Sequence, residues 1–232
     1  MAKASFSLIK AMYDLFSINN IFFTVLGYPM SYIEFFGTIF NLWCVYLVVK
    51  NNIWNWPIGI VGVILFGFMF YQINLYSDLF EQIYFFITSF YGWWAWIHMR
   101  NTNQTDGKEL SISRNNQKNN LIYFIIIILG TILLGYFTSN IHIYFAEYFP
   151  EPASFPYLDA FTTILSFAAT ILMAHRKIEC WYLWILVDVI GIWLYFAKDV
   201  RLVSILYFIF LILATRGLIS WSKIYKHEQQ KI

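Results

Sequence analysis

Residues 121–138 read LIYFIIIILGTILLGYFT, eighteen positions without a charged side chain. At a helical rise of about 1.5 Å per residue, such a run matches the thickness of a bilayer's hydrocarbon core. The rest of the chain agrees with it. Of 232 residues, 60% are hydrophobic, 22% aromatic and only 12% charged, against about 25% charged in a soluble domain. A soluble fold of this size could not hide so much apolar surface. Lipid is the solvent this composition requires.

Working outward, runs of spanning length also occur at about 32–49, 57–74 and 78–98 on one side, and 156–174, 180–197 and 202–221 on the other. Polar punctuation separates them: Lys50-Asn51-Asn52 before Pro57, Asn74 to Asp78, and Arg176-Lys177. The predicted class is an all-α polytopic membrane protein with seven core transmembrane helices. Its expected segments are 1–31 as an N-terminal helix, 32–98 as a first three-helix unit, 99–120 as a solvated loop, 121–155 as a linker helix and outer loop, 156–221 as a second three-helix unit, and 222–232 as a tail. Residues 5–28 read as an amphipathic helix at the membrane interface, because Asp14 and Asn19-Asn20 interrupt the run; an eighth span is the alternative. The run has no small-x-small cleavage site and is followed by Gly27-Tyr28-Pro29. On alternate loops and the tail lie Lys50, Arg100, Lys108, Arg114, Lys118, Arg176, Lys177, Lys223, Lys226 and Lys231, while the opposite loops hold Lys198 and Arg201. The positive-inside rule therefore predicts a cytoplasmic C-terminus.

Sliding the chain by 125 residues pairs Tyr32 with Tyr157, Thr38 with Thr163, Ile53 with Ile178, Trp56 with Trp181, Ile60 with Ile185, Gly92 with Gly217 and Trp96 with Trp221, without gaps. Glu34 falls on Asp159, Asn41 on Ser166, and Phe70 on Tyr195. Two three-helix repeats with one helix between them have the same orientation in the membrane. Parallel repeats of this kind build transporters with a site near the midplane.

Polar residues inside spans are expensive and face partners or wet cavities. Glu34, Thr38 and Asn41 share one helical face, and Asp159, Thr163 and Ser166 repeat it. They are path-lining candidates, with helix-end capping as the simpler role of the two carboxylates. Trp181, Trp184, Asp188, Gly191 and Tyr195 form one stripe on the sixth span. An aromatic stripe also serves packing, and Trp181 suits the interfacial belt, but a carboxylate this deep cannot reach water. Its repeat partner is Val63, so charge is expected in one half only. Gln82, Ser89 and Trp93 share a face of the third span, with Tyr84 nearby. Gln82 offers donors and an acceptor for an amide or ribose hydroxyls, or for an interhelical hydrogen bond. Tyr207 has the same two readings. Lys198 sits just past the sixth span, where a snorkelling role competes with a ligand role.

Aromatic rings with a carboxylate and no buried arginine suit a planar neutral or cationic molecule; phosphate would need Arg or Lys in the path. A net charge of +2 with no basic face argues against nucleic acid. There is no GxxxxGK[ST] loop. His98, His142, His175 and His227 fall at span ends, in loops or in the tail, and Cys44 and Cys180 have no CxxC spacing. No metal, cofactor or catalytic group is expected, and the chain does not read as an enzyme.

Several stretches together resemble the PnuC family of nicotinamide riboside (vitamin B3) transporters. They are Trp54-Asn55-Trp56-Pro57-Ile58-Gly59, Asn74-Leu75-Tyr76 followed by Glu81-Gln82-Ile83-Tyr84, Tyr91-Gly92-Trp93-Trp94-Ala95-Trp96, and Trp181 through Asp188 leading to Leu194-Tyr195-Phe196-Ala197-Lys198. The resemblance covers about 32–221. It implies a 3+1+3 arrangement similar to SWEET transporters, a homotrimer in the inner (cytoplasmic) membrane, and facilitated diffusion of nicotinamide riboside by alternating access. It also implies a cytoplasmic nicotinamide riboside kinase that keeps the flow inward by phosphorylation. Carried onto this chain, the motifs make Trp56, Gln82, Tyr84, Trp93, Trp184, Asp188, Tyr195 and Lys198 candidates for the binding path, joined by Tyr207 from the reading above. Thiamine or riboflavin on the same fold is the nearest alternative. A retinal photoreceptor is more distant, because the last span lacks a lysine.

Overall fold

The computed structural model describes residues 16–25, 27–73, 76–105, 111–147, 152–197 and 201–230. Among these, a hairpin of β1 (Ile21–Val25) and β2 (Tyr28–Ser31) precedes α1 (Tyr32–Val49), α2 (Asn55–Gln72), α3 (Tyr76–Thr105), α4 (Gln117–Tyr144), α5 (Pro156–Ala174), α6 (Glu179–Ala197) and α7 (Arg201–Gln229). The helix starts are legible locally. Ser31 caps α1 by accepting the Glu34 N–H at 3.3 Å, and Asn116 caps α4 by accepting the Asn119 N–H at 2.8 Å. Pro156 opens α5, where its missing N–H costs nothing.

All seven helices lie where the hydropathy puts them, and six are long and apolar enough to cross a membrane. The expectation of seven such helices is not met by α3. Asp78, Glu81 and Gln82 stand near its start, and its apolar surface is built from Tyr and Trp, whose polar tips lower its hydropathy. The polar ends expected as loop and tail instead continue helices: α3 runs on to Thr105, α4 begins at Gln117, and α7 reaches Gln229. Gln, Lys and Glu are good helix formers, and a helix leaving the bilayer loses no hydrogen bonds in water.

The N-terminal helix over 5–28 is corrected from Phe16 onward, where turns lead into the first strand. Its first part, with the rest of residues 1–15, lies outside the described residues. Ile21 to Val25 are β-branched and aromatic, which favours a strand. Gly27 takes φ +86° at the turn, a conformation open to glycine. The hairpin is antiparallel, and Phe22 packs its ring on Tyr32, Phe35 and Phe36 at 4.5–6.2 Å.

The chain forms two compact units, Met1–Trp94 and Ala95–Ile232. In the first, the Trp56 ring lies directly on Gly92, and Asn41 packs on Gly62. In the second, the Trp181 ring lies on Gly217 and meets Trp221 edge to face at 5.4 Å. Ile127, Leu165, Ala168 and Val187 join α4, α5 and α6 in one core. Trp181 is 2% exposed, so it is a core residue and not part of an interfacial belt. The ring–glycine contacts occupy positions 125 apart in the sequence. So do the two non-glycine residues with positive φ among the described residues, Asn51 at 55° and Arg176 at 54°.

Candidate functional site

The α6 stripe divides by depth. Trp181 and Gly191 are buried, while Trp184 and Tyr195 are half-buried, Trp184 packing against the core of Ile127, Leu165, Ala168 and Val187. Gly191 lets the Tyr207 ring of α7 pack onto the α6 backbone, where any Cβ would collide with it. Tyr207 then stacks on Tyr195, with centroids 5.1 Å apart and planes 21° off parallel. One helical turn below Trp184 lies Asp188, 4% exposed, with no side chain among the described residues satisfying its carboxylate. A desolvated anion without a partner is costly unless a ligand supplies the opposite charge or the donors. Two parallel tyrosine rings, a tryptophan and this carboxylate form a group suited to a flat cation.

Gln82 stands in the first unit. It is 8% exposed and lines a hollow of about 420 Å³ with Val63, Gly67, Phe68, Tyr71 and Phe86. Val63, the repeat partner of Asp188, lies in the same wall. Gln82 itself falls on Tyr207 under the same offset of 125. The two halves thus place different chemistry at equivalent positions: an amide over apolar side chains in one, stacked rings with a carboxylate in the other.

The remaining candidates are placed as follows. The Trp56 ring is taken up by packing on Gly92 and is 2% exposed. Tyr84 and Trp93 are half-buried on α3. Lys198 lies outside the described residues. Glu34 accepts the Tyr28 hydroxyl at 3.0 Å in the first turn of α1, and Asn41 donates to the Gly37 carbonyl at 2.9 Å. Asp159 is in the first turn of α5, as expected of a residue favouring the positive end of the helix. Thr163 is half-buried, and Ser166, 4% exposed, accepts the Thr170 hydroxyl through its carbonyl at 2.8 Å. Periodicity did not reveal the Tyr195–Tyr207 stack, because the residues are on different helices; Gly191 opposite a tyrosine was the available signal.

Tyr28 carries a pH consequence. Burial, followed by the nearby Glu34 charge and its hydrogen bond, pushes the Tyr28 phenol from 10.0 to about 12. The unfolded phenol ionises first, so this contact stabilises fully below pH 10 and its contribution disappears as pH rises to about 12. Melting curves of Tyr28→Phe and the unsubstituted protein are expected to converge across that window. A constant difference between them would contradict the linkage.

A family model for nicotinamide mononucleotide transporters matches residues 31–223. The chain belongs to the nicotinamide mononucleotide transporter family. It is 31% identical to the nicotinamide riboside transporter PnuC of Escherichia coli K12, over 90% of this chain and 94% of that protein. It is also 24% identical to the riboflavin/roseoflavin transporter RibM of Streptomyces davaonensis, over 88% of this chain and 91% of that one. The crystal structure of the vitamin B3 transporter PnuC superposes with a TM-score of 0.66 at 21% identity, covering 94% of this chain and 88% of that one, which shows the shared fold. The chain is therefore a multi-pass membrane transporter for a small molecule, and its relatives are transporters and not enzymes.

Proposed function

We propose that the protein carries nicotinamide riboside across the inner membrane as a uniporter working by alternating access, with trapping by a cytoplasmic kinase. The observation that carries this reading is Asp188, 4% exposed and without a side-chain partner among the described residues, on the α6 face that also carries Trp184 and Tyr195, the latter stacked on Tyr207. The riboside has a pyridinium ring that suits the aromatic faces and the carboxylate of the second unit, and a carboxamide and ribose hydroxyls for hydrogen-bonding side chains. The expectation of no buried arginine is corrected at Arg176, which is the only cation among the buried polar residues in the described chain; it lies in the α5–α6 turn, outside the apolar spans, and is engaged by Trp96. A phosphate therefore meets no buried cationic partner in the described helices, which supports the riboside over its 5′-phosphate. Gln82, Trp56, Tyr84, Trp93 and Lys198 are the further candidates for the path, on the family resemblance. Glu34, Thr38, Asn41, Asp159, Thr163 and Ser166 line the approaches.

The repeated ring–glycine contacts and the repeated positive-φ turns support a 3+1+3 arrangement of two like-oriented triplets. Contacts among residues 112–114, the 176–178 turn and Glu228 support placing those loops and the C-terminus on one side, the cytoplasmic one by charge. A homotrimer follows from the family resemblance.

Proteoliposomes are expected to take up labelled riboside faster than empty vesicles, without an imposed ion gradient, and excess mononucleotide should compete weakly. Uptake no faster than in empty vesicles would overturn the reading. The match to a riboflavin transporter favours one second reading, a flavin on the same aromatic faces. Stronger competition by riboflavin than by unlabelled riboside would select it.

A further inference from the structure

Arg176, in the α5–α6 turn, combines a left-handed backbone with 1% exposure. Asn51 makes the equivalent turn in the first repeat with the same φ, and Asn tolerates that conformation far better than a long side chain does. The turn itself therefore needs no arginine. The Arg176 guanidinium lies 4.0 Å from the centre of the Trp96 ring. The Trp96 indole N–H donates to the Ala174 carbonyl at 3.1 Å, and its ring adjoins Trp221 at 6.4 Å. Glu228, near the end of α7, lies close enough to favour the charged guanidinium, and it accepts the Ile112 N–H at 3.1 Å. Next to Ile112, Ser113 donates to the Arg176 carbonyl and accepts the Ile178 N–H, each at 3.1 Å, in a parallel bridge with Lys177. Arg114 reaches over Tyr225 at 5.6 Å. Ile112 is 2% exposed. A short segment before α4 is thus held by backbone bonds to one turn and by a carboxylate from another helix.

We propose that residues 111–114 are a strap, latched by Glu228 against Arg176, that binds the ends of α3, α5, α6 and α7 into one rigid block. The physical case is one of rigidity. Alternating access by a moving unit requires its helix ends to travel together, and short loops alone do not enforce that. The first repeat has Asn51 where Arg176 stands, so the latch is peculiar to the second. Arg176 and Glu228 are positioning residues in this scheme: they act on the motion of the unit and touch no substrate. The transport consequence rests on the riboside reading, whereas the strap itself does not.

The experiment compares Glu228→Gln, Glu228→Ala and a chain ending at His227 with the unsubstituted protein. Glu228→Gln keeps an acceptor for the Ile112 N–H but removes the charge facing Arg176; the other two remove both. In detergent, trypsin cleavage after Arg114 is expected to accelerate at least several-fold in Glu228→Gln and more in Glu228→Ala and the shortened chain. In proteoliposomes, the maximal rate of riboside uptake should fall several-fold while the KM stays within about twofold. Cleavage at the unsubstituted rate in all three would overturn the strap, whether or not riboside is the substrate. Faster cleavage with an unchanged maximal rate would overturn its role in turnover. Should Glu228→Ala fail to fold, Glu228→Gln and the shortened chain still decide.

Discussion

Asp188→Asn is expected to raise the melting temperature of the unliganded protein while weakening nicotinamide riboside binding. The two effects have opposite signs because the carboxylate has no side-chain partner among the described residues and would gain one with a cationic ligand. At 4% exposure it bears a desolvation cost that no side chain among the described residues offsets. Asn keeps the shape and removes the charge, and each kcal/mol recovered adds roughly 2–4 °C in a chain of this size. Losing the charge facing a bound pyridinium costs about 2 kcal/mol or more, or roughly 30-fold in Kd. Thermal melts with and without ligand, together with calorimetry, read both quantities on one preparation. A higher melting temperature with unchanged affinity would remove Asp188 from the binding site. A fall in both would mean that the carboxylate serves a structural partner.

Gly217→Ala should destabilise the second unit, and Gly92→Ala the first. In each case the added Cβ falls inside a tryptophan ring, Trp181 or Trp56, so the helix must move away or the ring must leave its rotamer. Overpacking of this kind costs about 1–3 kcal/mol, occasionally more. Both rings are buried in cores that cannot yield locally. Gly217→Ala combined with Trp181→Phe is expected to recover part of the loss, since the smaller ring makes room for the methyl. Melting temperatures of the single and double variants test this. Additive losses, with no recovery in the double variant, would show that the ring and the glycine do not compete for the same space.

How much of this was legible varied from element to element. Tyr32–Val49 and Pro156–Ala174 agree with the hydropathy reading to the residue, because transfer into lipid is a sum over consecutive side chains and needs no knowledge of neighbours. The hairpin was missed. Phe22 and Phe23 are as apolar in a strand as in a helix, and what separates the two cases is the turn at Gly27 and the ring contacts with Phe35 and Phe36. The 125-residue offset paired Trp56 with Trp181 and Gly92 with Gly217, but that each tryptophan packs on the glycine of its own repeat was visible only in the structure. Asp188 stood out because a charge in a span is conspicuous anywhere. Trp56, Trp181 and Trp184 did not separate, since a ring packed on glycine and a ring open to a ligand have the same hydropathy.

The amino-acid order alone determined the lipid solvent, the apolar central stretches of the seven helices, and the chemical difference between Val63 and Asp188. Those properties depend on local side-chain free energies and on spacing along one helix. Only the tertiary structure decided that Trp181 is a core residue, that Tyr195 and Tyr207 stack, and that Arg176 sits over Trp96 beneath a strap held by Glu228. Each depends on which surfaces of different helices meet, and residues far apart in sequence carry no periodic signal of that meeting.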